Sequence, residues 1–140
     1  MSRFVTPAEV RLSISEGDYL IVKSRLNAGE TLEMYARMRG DDGQADQTKI
    51  RYAVIQAYLL DWSITDDAGH IVSIREQPPE VVAGALTNLE YPDFEEIFKA
   101  IQTHDLAIEA ARQEKKQNTG DALPNPISRL HAVATGASSG

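Results

Sequence analysis

Two acidic turns, three histidines and one pair of glutamates are the residues of this chain whose types could do chemistry. Asp66-Asp67-Ala68-Gly69 has the composition of a cation loop, but an EF-hand needs oxygen ligands at alternating positions and a bidentate acid at about the twelfth. That twelfth place holds Gln77, so the segment reads as a tight turn. Asp41-Asp42-Gly43 reads in the same way as a solvated linker. His70, His104 and His131 fall on a predicted strand, a predicted helix and a predicted tail, and none has a partner at the i, i+4 spacing of a helical zinc site. Asp105 follows His104, yet neighbours on a helix point apart, so the two read as solvated helix positions rather than as an acid and its base. Glu30 and Glu33 share a turn, but no surrounding that would raise one of the two pKa values is legible, and the segment reads as a polar helix start. Gly40 and Gly43 give GxxG alone, without a Walker pattern or GxGxxG. The chain has no cysteine, which removes disulfides, thiolate metal sites and thiol catalysis. The expectation is a protein that is not an enzyme and takes no cofactor and no metal.

The elements that would position these residues follow from period and punctuation. Val10, Leu12 and Ile14 alternate with polar residues over Glu9 to Ser15, the pattern of a half-buried strand. Residues 19–26 suit a second strand or a helix equally, and Asn27-Ala28-Gly29 ends that element in either case. A short helix is predicted over Glu30 to Met38, with Gly40 to Gly43 breaking the chain after it. Gln44 to Leu60 is the central helix, since Ile50, Ala53, Val54, Ala57 and Tyr58 recur at helical spacing. Tyr52, Ile55, Leu59 and Leu60 widen its apolar arc, so it lies either at the centre of the domain or against a second molecule, leaving a homo-oligomer open. Trp62 to Thr65 and His70 to Ile74 alternate on either side of the Asp-rich turn and predict a β-hairpin, with Trp62 as a core residue rather than a stacking platform. Pro78-Pro79 opens a helix that uses Val81, Val82, Ala85, Leu86 and Leu89. Asp93 is the predicted N-cap of a last helix, Phe94 to about Lys115, in which Glu95 pairs with Lys99. The fold class is α+β and mainly helical: N-terminal strands, a central helix, a β-hairpin, two C-terminal helices. Residues 1–116 are expected to form one globular domain, and 117–140, rich in Gly, Pro, Ser and Asn, a flexible tail.

Length and composition set the class. The chain has 140 residues, 42% hydrophobic and 25% charged, as expected of one globular domain. MSRFVTPAEVRL lacks the apolar core of a secretory signal, and no run of about 18 apolar residues occurs, so no membrane partner is expected. Residues 1–111 hold ten Lys/Arg against nineteen Asp/Glu, a net of −9, whereas 112–140 hold four against two, a net of +2. An acidic body offers no basic stripe for phosphates, which argues against nucleic acid.

Three blocks carry a family resemblance: GDYLIVKSRLNAGE (Gly17 to Glu30), AVIQAYLLDWSITDDAGHIV (Ala53 to Val72) and DFEEIFKAIQTHD (Asp93 to Asp105). Together they resemble small proteins from the tail-gene region of long-tailed bacteriophages (siphophages), above all the tail assembly chaperones. The resemblance implies a non-virion helper in the bacterial host cytoplasm. It would bind the tape measure protein, keep that long helical rod soluble, and be displaced as tail tube subunits polymerise around it. Members of the family often occur in two lengths through ribosomal frameshifting, and the chain beyond Gln117 is where an extension would attach. Tyr58, Leu59, Trp62, Phe94, Phe98 and Ile101 are then core or client-contact positions. The alternative is a structural virion component of the tail or the head-tail connector.

Overall fold

The computed structural model describes residues 3–119, side chains 117–119 excepted. Strand β1 (Glu9–Ser13) forms where the alternation predicts it and pairs antiparallel with β2 (Tyr19–Lys23) through a short 3-10 turn at Ser15–Gly17. The alternatives for residues 19–26 resolve to a strand because β2 is the middle of a three-stranded sheet, with β3 (Leu59–Trp62) antiparallel on its other edge. Directly opposed residues share a face of a sheet. Val10 faces Val22, Leu12 faces Leu20, and Leu20 in turn faces Trp62, so one face is apolar and takes the helices.

Helix α1 (Ala28–Arg37) begins two residues before the predicted start, for a local reason. Asn27 accepts a hydrogen bond from the Glu30 backbone N–H at 2.8 Å while the Glu30 carboxylate accepts one from the Asn27 N–H at 2.9 Å. This is a capping box, and the residue read as a breaker is the start signal. Helix α2 (Gln47–Tyr58) is shorter at both ends than the predicted Gln44 to Leu60. Asp46 caps it by accepting from Thr48 N and Lys49 N, and Leu59, with ψ 124°, leaves the helix directly into β3. Pairing with the open edge of β2 satisfies the backbone groups of Leu59 to Trp62 that one more helical turn would otherwise have satisfied.

The hairpin turn is present, with its strands arranged differently. Asp66 accepts from the backbone N–H of Ala68 and of His70, and Thr65 bridges Ile71. The sheet strand, however, starts at Leu59, and the returning residues contribute that isolated bridge. Helix α3 spans Pro79–Thr87 and α4 Tyr91–Thr119. Asp93 lies inside the first turn of α4 rather than at its cap, and Pro92 is tolerated there because its missing N–H would have had no helical partner. Glu95 turns to Arg51 of α2 at 2.8 Å instead of to Lys99. Helix α4 runs past Gln117, the predicted start of the tail, and the remainder of that segment, 120–140, lies outside the described residues. The buried apolar side chains form one cluster with α2 at its centre, touching α1, α3 and α4. Of the residues that widen the arc of α2, Ile55 and Leu59 are buried in this cluster, whereas Tyr52 and Leu60 stay partly exposed.

Candidate functional site

All six predicted positions lie in the core: Tyr58, Leu59, Trp62, Phe94, Phe98 and Ile101 are between 0% and 8% exposed. Burial gives all six a place in the core, and Leu59 and Phe94 also contribute to the walls of surface clefts. Each has a defined task. The Tyr58 hydroxyl donates to Asp105 Oδ1 at 2.6 Å inside the protein. Burial, and then the Asp105 carboxylate, push the phenol well above its usual range. His104 sets its ring edge-on to Tyr58, with Nε2 3.0 Å from the Lys23 carbonyl oxygen. His104 and Asp105, read as solvated, are instead joined through Tyr58, which touches both. The Trp62 indole donates to the Val72 carbonyl at 2.7 Å and ties the Asp-rich turn segment to the sheet. Phe94 packs on Tyr52 with ring centres 5.0 Å apart, and Arg51 lies over Phe98 at 5.0 Å.

The other candidates resolve individually. Glu30 and Glu33 do not share a proton, because Glu30 is paired with Lys23 and Glu33 with Arg37. Burial works to raise the Glu30 carboxyl, but the Lys23 ammonium and the Asn27 N–H outweigh it and hold the group below its usual value. Asp66 spends its carboxylate on backbone N–H groups of its own turn, and Asp42 accepts from Gln44 N in the Gly40 to Gln44 turn. Among the described residues no group of three His, Asp or Glu side chains is placed to hold a metal ion. His70 is exposed on the turn, and His131 lies outside the described residues.

Among the clefts that the packing leaves open is one of about 280 Å³ between α1, α2, β3 and the segment leading into α3. Its floor is apolar, made by Met34, Ala57, Leu60, Ile74 and Val82. Leu60 reaches it through a bulge. Ile21 faces Asp61 whereas Val22 faces Leu59, so Leu60 is the unpaired residue, and a bulge re-aims a side chain in this way. One wall is held by a relay across three helices: Arg37 donates to Gln56 Oε1 at 3.1 Å, and Gln56 donates to the Pro79 carbonyl at 3.1 Å. The rim carries Lys23 and Arg37 together with Glu30, Glu33 and Glu76. The two cations are bonded to Glu30 and Glu33, while Glu76 forms no ion pair among the described residues. Glu76 also has φ +60°, a left-handed conformation that costs a residue with a side chain roughly 1–2 kcal/mol. The arrangement can hold an apolar side chain beside a carboxylate, and it brings no nucleophile and base together. Ala57 and Leu60 are legible in sequence only as part of the apolar arc of α2. The i, i+4 alanines Ala53 and Ala57 are the one local sign that a neighbour would find space there.

Comparison with protein-family models, with curated proteins and with solved structures finds no match to this chain.

Proposed function

We propose that this protein is a phage tail assembly chaperone, a non-catalytic helper that binds the tape measure protein in the bacterial host cytoplasm and keeps it soluble until the tail tube forms. One observation carries the reading. The three blocks on which the resemblance rests are far apart in sequence but meet at one point: Lys23 from the first, Tyr58 from the second, His104 and Asp105 from the third. Segments that jointly build one packed junction form a single packing unit, which is what a shared fold would retain. Two further features support it. The acidic body, net −9 over residues 1–111, would keep a complex with a hydrophobic rod in solution and attract basic stretches of it. The cleft supplies an apolar surface of the kind that accepts a helix.

Mass spectrometry of purified phage particles, together with affinity capture of the tagged protein from cells assembling tails, tests the proposal. The expected result is co-purification of the tape measure protein and absence from finished particles. Several copies per particle would overturn it in favour of a structural virion component.

A further inference from the structure

We propose that the cleft between α1, α2 and the segment leading into α3 receives one apolar side chain from a partner helix, and that a Lys or Arg one turn away on that helix meets Glu76. The identity of the partner as the chaperone's client rests on the preceding reading; the chemistry of the site does not. Two observations select this occupant, and a third makes it testable. First, the cleft is small, its volume of about 280 Å³ lying at the bottom of the roughly 300–1,000 Å³ range of small-molecule sites, and its floor, including half-exposed Ala57 and Leu60, is apolar. Second, the charges on its lining do not balance. Lys23 answers Glu30 and Arg37 answers Glu33, which leaves the Glu76 carboxylate as the charge without a counterion among the described residues, in a body that is acidic throughout. A cationic neighbour to the apolar anchor is the complement of that rim. Third, Glu76 occupies a left-handed backbone position where glycine would sit without strain. Replacement by glycine therefore removes the carboxylate without adding backbone strain.

Glu16 supplies the control. It is the other non-glycine residue at φ +60°, it carries the same charge, and it lies in the β1–β2 turn and not on the cleft. Glu76→Gly and Glu16→Gly therefore make the same chemical change and relieve the same backbone conformation at two sites. Ala57→Trp fills the cleft from a half-exposed helix position, and Ala57→Leu is a smaller plug should Trp disturb the fold. The probe is a fluorescein-labelled amphipathic helical peptide of 18 residues built from Leu, Lys and Ala, with a Glu-for-Lys peptide as counter-probe, read by fluorescence anisotropy on the full-length protein. The wild type should bind the Lys peptide and not the Glu peptide. Ala57→Trp should weaken binding by about tenfold or more, Glu76→Gly by about three- to tenfold, and Glu16→Gly by less than about twofold. Circular dichroism establishes that each variant is folded.

Equal loss in Glu76→Gly and Glu16→Gly would mean that bulk charge alone attracts the peptide, and would overturn the inference. So would undiminished binding to folded Ala57→Trp or Ala57→Leu, or a change of oligomeric state on filling the cleft, which would make a second copy the occupant. A co-expressed tape measure fragment separates this inference from the functional reading. If the fragment is solubilised as well by Ala57→Trp as by wild type, the cleft is the wrong surface and the chaperone reading stands. If wild type fails to solubilise it while the Lys peptide still binds in a cleft-dependent manner, the cleft stands and the chaperone reading fails.

Discussion

Tyr58 is the residue at which the sheet, α2 and α4 are held together: its hydroxyl donates to Asp105 and its ring receives the edge of His104, which itself contacts the carbonyl of Lys23. A hydrogen bond to a charged group contributes about 1.5–3 kcal/mol, and Tyr58→Phe removes this one while keeping the ring. The variant should lose stability in that range by urea denaturation at neutral pH, with its fold retained. The sign of its pH dependence follows from the raised pKa of the folded phenol. The stabilisation is fully present below the unfolded tyrosine value of about 10 and is lost as pH rises above it toward the higher folded value. The stability gap between wild type and Tyr58→Phe should therefore narrow between about pH 9 and pH 11. A gap that stays constant would show that the hydroxyl is not held neutral by its surroundings. Trp62 works by the same logic at lower charge, since its indole N–H has one partner, the Val72 carbonyl, and an apolar residue there would release the turn segment from the sheet.

At the scale of elements, burial outweighs surface charge. Ile101 is 0% exposed on the face of α4 that packs into the core, and Ile101→Ala should cost about 2–5 kcal/mol by urea denaturation. Arg75 makes ion pairs with Glu9 and Asp61, joining β1 to β3 across the sheet, but its side chain is 43% exposed. Arg75→Ala should leave the midpoint of the same measurement nearly unchanged. The tie between α2 and α4 is different, because Glu95 accepts from both the Tyr91 hydroxyl and Arg51, and these hold its carboxyl below the usual value of 4.5. A depressed carboxyl contributes stability above its unfolded pKa and loses it as pH falls through the folded one. Glu95→Gln should flatten the loss of stability below about pH 4.5 relative to wild type, as read from urea midpoints over an acid series. Much at this scale was legible in sequence. The alternation of Val10 and Leu12 gave β1, the spacing of Ile50, Ala53 and Val54 gave α2, and Asp66 to Gly69 gave a turn, because each depends on residues within one or two turns of chain. The Asn27–Glu30 capping box was equally local and marks the start of α1. Leu59 and Leu60 were not legible. They continue the helical arc of α2, and only the edge of β2, some forty residues earlier in the chain, draws them into a strand.

For the whole molecule, the aromatic face that suggested a client surface is the inside of the domain. Phe94→Asp or Phe98→Asp would place a charge in the core and should abolish the cooperative thermal unfolding transition seen by circular dichroism. Loss of client solubilisation by such variants would report unfolding, and the surface variants at the cleft are the informative ones. The sequence by itself determined the α+β class, the acidic body, and the apolar character of Tyr58, Leu59, Trp62, Phe94, Phe98 and Ile101, since composition and short-range period suffice for these. Only the tertiary structure decided that all six are buried, that His104 and Asp105 meet through Tyr58, and where an apolar surface stays open. The reason is geometric. The cleft is bounded by α1, α2, the bulge at Leu60 and the left-handed Glu76, four segments whose separation is set by how the elements pack, and no local pattern of residues records a space left between them.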